Sequence, residues 1–525
     1  MTGSILQLVA TGIEDIFLTN DPQITYFKVV YKRHTNFARQ EIRQNFIQTP
    51  DFETQVSSNI GKHGDLMEKT TLIINLPDIP SFDDPNVKIA WVRYIGYSII
   101  NTIDIEINGR QICKHFGEWM MLWNQMFNKK ANEPAYKRMI GDVPELTNFS
   151  NSKSAFTLYI PLQFWFCRSS ANALPLISLL CSDVKINLSL RPWSECIITT
   201  PTHYLYCNDD LAAFYPYEYI QQKINGLISA GIFAGYDSIN KRLLYSLITT
   251  TNFKPIPSPN VTNQSIYRII GQTSHAYVTP AIQSNSQIQS NSQSSIINPA
   301  TYKYNKLSSL VLGDTYLLIN YIFVDEDERL KFSQSKHDYI IEQVYYNETR
   351  NITGPSDSVR LNIDNPCKYI IWILQQEYLY NNNDYYNYTE TYRHKIPQDI
   401  NNYNIKVGDP LYGFDESLIT YDTILFNSQE RLSLRDSKYF RLNQIYEKCI
   451  NPPPAGTNAY FFTLDPVTTQ QCGSSNMSKI EKIEIKMKNI NPILSGKNVG
   501  IFRSYAETYN ILRISNGLGA IMFDR

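Results

Sequence analysis

The sequence contains no CxxC pair and no HExxH, GxSxG, GxGxxG or GxxxxGK pattern. Short motifs of that kind announce zinc sites, zincins, serine hydrolases and phosphate-cradling loops, so none of those chemistries has a local signature here. The histidines (His34, His63, His115, His203, His275, His337, His394) are dispersed, and a cupin-like metal pocket needs a clustered His-x-His pair. An excess of charge is missing too. With 48 Lys and Arg against 49 Asp and Glu, the net charge is −1 and the pI is near 6.7. Proteins that coat nucleic acid usually carry a strong basic excess. No apolar run approaches membrane length, and the N-terminal "MTGSILQLVATGIEDIFL" has no basic leader and is interrupted by Glu14 and Asp15. The cysteines (Cys113, Cys167, Cys181, Cys196, Cys207, Cys367, Cys449, Cys472) are scattered, which reads as reduced packing thiols rather than a disulfide framework. A soluble chain made in a reducing compartment is expected.

Aromatic residues are plentiful, with 37 Tyr, 24 Phe and 6 Trp. Rings of this kind fit pleated surfaces and interface cores, favouring strands and broad protein contacts. At 525 residues, 43% hydrophobic and 18% charged, the chain is globular and too long for one core, so two domains are expected.

Period-two runs recur. In "NTIDIEINGRQI", Ile103, Ile105 and Ile107 face one way and Asp104, Glu106 and Asn108 the other, and Asn108-Gly109 supplies a hairpin turn. Further strands are expected at Leu72–Leu76, Ala155–Cys167, Val184–Leu190, Tyr316–Val324, Tyr339–Tyr346, Tyr369–Gln375, Ala459–Leu464 and Ile483–Met487. "HFGEWMMLWNQMF" places Phe116, Trp119, Met120, Trp123 and Phe127 at helical spacing, a stripe that docks on a sheet. Glu218–Phe233 reads as a second, Gly-interrupted helix. Between Trp193 and Lys306 the strand pattern fades, with a low-complexity stretch at Ser284–Ser295, and Asn381–Asp409 is similar. Both read as long loops.

The acidic run Asp325–Glu328 lacks the alternating ligands and Gly of a calcium loop, so it reads as a charged domain junction. N-x-S/T triplets at Asn148, Asn187, Asn260, Asn263, Asn347, Asn351, Asn387 and Asn476 are expected by chance in an Asn-rich chain. A glycosidase carboxylate pair meets only in the fold, and the sequence singles none out. No catalytic, cofactor-binding or metal-ligating residue is nominated. "NGRQICKHFGEWMMLWNQMF" and "FNSQERLSLRDSKYFRLNQIY" echo each other, each followed by an aromatic-rich strand, which suggests a duplicated β-sandwich.

Six collinear segments, Ile5–Ala38, His63–Pro77, Ile103–Trp119, Leu158–Leu188, Tyr321–Val344 and Arg503–Ile521, resemble the major capsid protein family of the nucleocytoplasmic large DNA viruses, including giant viruses of amoebae. The resemblance implies an all-β double jelly roll, two eight-stranded antiparallel sandwiches with a few short helices and long loops. It implies an N-terminal arm at 1–22, a first jelly roll at 23–330 with a loop insertion at about 193–306, and a second at 331–525. Tyr26–Ile42, with Lys28, Lys32, Arg33, His34 and Arg39, then resembles the first strand of jelly roll one, its charges facing neighbouring subunits, minor capsid proteins or an inner membrane rather than DNA.

The implied function is structural and non-enzymatic, with no cofactor. It is a homotrimeric, pseudo-hexagonal capsomer that meets neighbouring capsomers in an icosahedral virion shell assembled in the host cytoplasm. Asn427-Ser428-Gln429-Glu430-Arg431 and Ile514-Ser515-Asn516-Gly517-Leu518 depart from the family's usual Asn-Gly-Gln/His-Asp-Arg and Met-Ser-Gly-Met, as in a divergent paralogue. Alternatives on the same fold are a minor or paralogous capsid protein, a receptor-binding protein, or a glycan-cleaving enzyme. Fold alone does not choose among these.

Overall fold

Alternation of buried and half-exposed residues, as in Val184–Leu190, makes one face of a strand apolar and one polar, and such strands must pair into sheets that pack face to face. The computed structural model describes residues 9–10, 21, 34–82, 88–200, 203–208, 214, 218–237, 241–247, 252–261, 263–272, 274–282, 295–296, 307, 310–381, 383–389, 417–468, 470–490 and 499–523. The arm expected at 1–22 and the low-complexity stretch at Ser284–Ser295 fall almost wholly outside these residues, as do Tyr26–Arg33 and most of Asn381–Asp409.

The first sandwich comprises β1 (Phe37–Asn45), β2 (Gln55–Asn59), β3 (Leu66–Leu76), β4 (Ile100–Ile107), β5 (Arg110–Phe116), β6 (Phe156–Pro161), β7 (Val184–Leu190) and β8 (Thr315–Val324). The second comprises β9 (His337–Ile352), β10 (Ser356–Leu361), β11 (Pro366–Gln376), β12 (Ile419–Phe426), β13 (Gln429–Asp436), β14 (Thr457–Phe461), β15 (Ile483–Ile490) and β16 (Gly500–Ser515). Sheet order is β1-β8-β3-β6 and β2-β7-β4-β5 in the first, and β9-β16-β11-β14 and β10-β15-β12-β13 in the second. The two windings match position for position, and each is a jelly roll. The fold is a double jelly roll.

Three of the helices matter below: α1 (Gly117–Phe127), α2 (Glu326–Gln334), and α3 (Gln444–Lys448), which continues from a π turn at Tyr439–Asn443. Asp325 caps α2 by accepting from the Glu328 amide at 3.1 Å, and the acidic first turn suits the positive end of the helix. That local role accounts for the acidic run.

The internal echo extends to details of register. The β4–β5 turn uses Asn108 (φ 54°) and Gly109 (φ 75°), and the β12–β13 turn uses Asn427 (φ 50°) and Ser428 (φ 65°). Each hairpin then carries a bulge at the same place, after Ile105 opposite Cys113 and after Ile424 opposite Leu432. Of the expected first strand and its exit, Tyr26–Ile42, the part from Phe37 is strand and runs on to Asn45, while Tyr26–Arg33 lies outside the described residues. The expected strand Ala155–Cys167 ends at Pro161 and turns helical at Trp165–Arg168.

Two expectations fail between β7 and β8. The region expected as a loop, Trp193–Lys306, holds a seven-stranded sheet, Tyr277–Val278, Ile269–Gly271, Tyr219–Ile224, Leu227–Asp237, Arg242–Leu247, His203–Tyr206 and Ser295–Ile296 in spatial order. It has its own core around Leu205, Phe233, Leu243, Tyr245 and Val278. The helix expected at Glu218–Phe233 is its central hairpin, turned at Asn225 (φ 50°) and Gly226 (φ 81°). Ile220, Ile224 and Leu227 mimic a helical stripe. The true period of two is masked because inward-facing Gln222 is polar, its amide bonding the Lys254 and Tyr267 carbonyls.

β11 shows how the two sandwiches join. It is buried almost throughout because both of its faces are covered. Ile370, Trp372 and Leu374 enter the core of the second sandwich, whereas Tyr369, Ile371 and Ile373 belong to a cluster continuous with the core of the first. A strand covered on both sides reads as a continuous hydrophobic run, as here.

Ser428 holds a left-handed conformation that glycine adopts freely. The substitution Ser428→Gly is expected to stabilise the chain by about 0.5–1 kcal/mol. Chemical denaturation midpoints check this, and the same change at the exposed, extended Ser433 should destabilise.

Candidate functional site

The outer face of the β9-β16-β11-β14 sheet is closed by the first sandwich, through β5, α1 and the Trp165–Arg168 turn. Apolar contact starts it. Phe127 of α1 lies 5.6 Å from Tyr369 and 6.3 Å from Phe461, and Phe116 lies 4.4 Å from Tyr346, by ring centroids. Along the edge, the Gln343 amide donates to the Ile112 carbonyl at 2.6 Å, and the Cys113 thiol reaches the Glu342 carbonyl at 3.5 Å.

Charge is buried at two places in this seam. In the first, Arg168 donates to Glu342 at 2.5 Å and to Glu507 at 2.6 Å, and Lys368 lies 2.5 Å from Glu342 and 3.3 Å from Glu507. Two cations thus meet two anions, and the side chains of Lys368 and Glu507 have no exposed surface. Burial alone would raise the Glu507 carboxyl, but Arg168 and Lys368 overcome it and hold it well below the usual carboxylate range. Burial likewise opposes charge on Arg168 and Lys368, and Glu342 with Glu507 keeps both above their ordinary values. The Arg168 guanidinium also lies 4.5 Å from the Trp123 ring centre.

In the second, Glu118 of α1 takes a fork of bonds from Arg503 at 2.7 and 2.8 Å, with further bonds from the hydroxyls of Tyr505 (2.6 Å) and Tyr388 (2.9 Å). Arg503 also donates to Gln375. A single carboxylate from the first sandwich is thereby saturated by donors from the second.

The fold brings together one pair that no local motif announced. The Cys113 thiol lies 3.1 Å from His115 Nε2, with the imidazole 4.4 Å from Trp119 and 4.8 Å from Phe164 by centroid. A thiol–imidazole pair becomes nucleophilic when proton transfer makes it ionic. Burial does the reverse here, raising the thiol to about 12 and lowering the imidazole to about 3. The pair is a neutral part of the packing.

All eight cysteines are free, and among the described residues no group of three or more His, Cys, Asp or Glu is placed to hold a metal ion. No described helix is long and apolar enough to cross a membrane. Of the basic residues in Tyr26–Ile42 that are described, Arg39 lies 3.8 Å from Glu68; just beyond, Arg43 pairs with Asp314 at 2.7 Å and stacks on Tyr316 at 4.0 Å. These charges sit along an exposed strand rather than in a groove.

Asp422, deep in the second sandwich, accepts from Ser437 at 2.7 Å, and burial raises its carboxyl to about 7 against a favourable Ser437, Trp372 and Arg441 environment. The folded state therefore holds this proton more tightly than the unfolded chain. Its contribution to stability is complete below about 3.8 and is lost as pH rises through about 7. Thermal midpoints measured across that window should fall with pH in the native chain and flatten in Asp422→Asn. For the seam, Lys368→Met leaves two buried anions against one cation and should cost about 3–5 kcal/mol. Lys368→Met with Glu507→Gln restores neutrality and should recover much of the loss in denaturant titrations.

Comparison with known proteins agrees with this architecture. Residues 25–222 match the family model for the major capsid protein N-terminus, and residues 328–520 match that of the large eukaryotic DNA virus major capsid protein. The chain is 36% identical to probable capsid protein 4 of Acanthamoeba polyphaga mimivirus over 541 residues, covering 100% of this chain and 99% of that one. It is 27% identical to the major capsid protein of Phaeocystis pouchetii virus over 616 residues, covering both fully. Among solved structures, the PBCV-1 capsid superposes with a TM-score of 0.61 at 21% identity, covering 95% of this chain and 100% of that one. The Faustovirus major capsid protein does so at 0.61 and 13% identity, covering 98% and 97%. The chain therefore belongs to the major capsid protein family of large eukaryotic DNA viruses.

Proposed function

We propose that the chain is the building block of an icosahedral virion shell, working as a homotrimer in which six similar sandwiches form a pseudo-hexagonal capsomer. The observation that carries this reading is the equivalence of the two sandwiches, strand for strand and with a matching hairpin bulge, within one chain. Similar sectors in one polypeptide let three copies present six comparable sides. The relatives' names, capsid proteins throughout, support a structural and non-enzymatic role in the virion.

On this reading residues 23–330 and 331–525 are the two functional sectors, and an arm at 1–22 precedes them. Neighbouring capsomers, minor capsid proteins and an inner membrane are the partners, sequence-specific DNA contact is not required, and assembly takes place in the host cytoplasm. The seven-stranded insertion between β7 and β8 caps the outward end of the capsomer.

Light scattering on the purified chain should give a mass near three times 60.7 kDa. A species that remains a single chain at high concentration contradicts the trimer. Limited proteolysis of intact particles should cut within the insertion first, and complete protection there contradicts its outward placement.

A further inference from the structure

The insertion between β7 and β8 differs in charge from the rest of the chain. From Glu218 to Ile282 it carries Lys223, Lys241, Arg242, Lys254 and Arg268 against only two acidic residues, Glu218 and Asp237, whereas the whole chain balances at 48 to 49. Glu218 is buried and accepts from the Ser274 amide at 2.9 Å and the Ser274 hydroxyl at 2.6 Å. The surplus on this sheet is positive.

Register sorts the sheet's two faces. Ile220, Phe233, Ile269 and Val278 point into the insertion's own core, so their neighbours in sequence point away from it. On that outer face Tyr277 pairs with Ile270, Ile270 with Gln221, and Gln221 with Ala230, while one row further Lys223 pairs with Ile228. Continued by two residues, the Gln221–Ile270 register brings Arg268 beside Lys223. Ile228 (44%), Ile270 (43%) and Tyr277 (46%) are exposed here, and the buried Ala230 and Ile232 bound the open patch. Lys223 is exposed and Arg268 half-buried. The Arg268 guanidinium lies 4.1 Å from the Tyr277 ring centre, and its Nε is buried with no hydrogen-bond partner. Neither Arg268 nor Lys223 makes an ion pair among the described residues.

We infer that this face binds an acidic segment of a second protein, one that sets a carboxylate among apolar side chains. Exposed aliphatic residues around a Tyr and an Arg have the composition of a protein interface core, and contiguous apolar exposure marks such a site. The two cations choose the sign of the partner. A carboxylate brought to Arg268 gains charge-assisted hydrogen bonds that the insertion's own acids do not supply. A second copy in two-fold contact would set Lys223 and Arg268 against their own kind, at a cost. Arg268 already lies on one face of Tyr277, which leaves less of the ring for a sugar or a base to stack on. Only the partner's location rests on the reading above: with the insertion at the outward end of the capsomer, the partner is laid on the shell from outside.

The test pans a random peptide library displayed on phage over the immobilised full chain and measures the selected peptides by fluorescence anisotropy. The peptides should carry Asp or Glu beside aliphatic or aromatic residues, and their affinity should fall with added salt. Lys223→Glu, at an exposed and unpaired position, should keep the parent's thermal midpoint and weaken binding about tenfold, and adding Arg268→Glu should weaken it further. Lys254→Glu makes the same change of charge in the segment that lies over the inner face, where its backbone bonds Gln222, and should leave binding unchanged. No selected peptide, peptides without acidic enrichment, or equal affinity for Lys223→Glu and the parent would overturn this surface and leave the outward placement standing. So would phosphatidylserine vesicles or polygalacturonate bound more tightly than any peptide and lost with the same substitutions. Peptides that bind the purified chain but not intact particles uphold the surface and overturn the outward placement.

Discussion

The fully buried Glu507 carboxylate keeps its charge because two cations lie against it, Lys368 and, from the other sandwich, Arg168. This requirement turns two sandwiches into one body. A purely apolar seam would tolerate sliding, because hydrophobic contact is non-directional. Hydrogen-bonded charges tolerate almost none, since a displacement leaves an ion stranded in a medium of low polarity. The Glu118–Arg503 fork, with its two tyrosine hydroxyls, fixes a second point on the same face. Two fixed points set the relative orientation of the sandwiches, and that orientation is what a shell subunit must hold constant across many copies.

The same packing explains why the chain's reactive groups are quiet. Cys113 and His115 are within bonding distance, yet lie beneath Trp119 and Phe164 and beside Arg168, where an ionised imidazole would be costly. What the surface offers instead is strand edges and aromatic projections. The second sandwich has its outer sheet covered and its hairpin edge open. The first has its hairpin edge covered and its outer sheet open along β1. Open strand edges and exposed aromatic rings of this sort are features that interface cores use.

Much of the architecture was legible in the sequence. Val184–Leu190 and Ile483–Met487 alternate cleanly because one face is buried and the other faces water, and the turns at Asn108-Gly109 and Asn427-Ser428 mark their hairpins by residue type. The echo between the halves survives because the same bulge and the same helix follow each hairpin. The seven-stranded insertion was not legible: its strands are as short as two residues, and Gln222 places an amide where an apolar residue would have revealed the period. The seam was not legible either. Arg168 stands 174 residues from Glu342 and 339 from Glu507, and nothing local distinguishes these residues from surface charges. β11 carried the strongest clue, an unbroken apolar run, which signals burial on both faces but does not say by what.

Native-state hydrogen exchange measures directly whether the seam makes a single body. If it does, the amides of β5 and α1 in the first sandwich and of β9, β11 and β16 in the second open together, with one shared free energy and one dependence on denaturant. Separate opening energies for the two sets, with the second sandwich exchanging while the first stays protected, would contradict it.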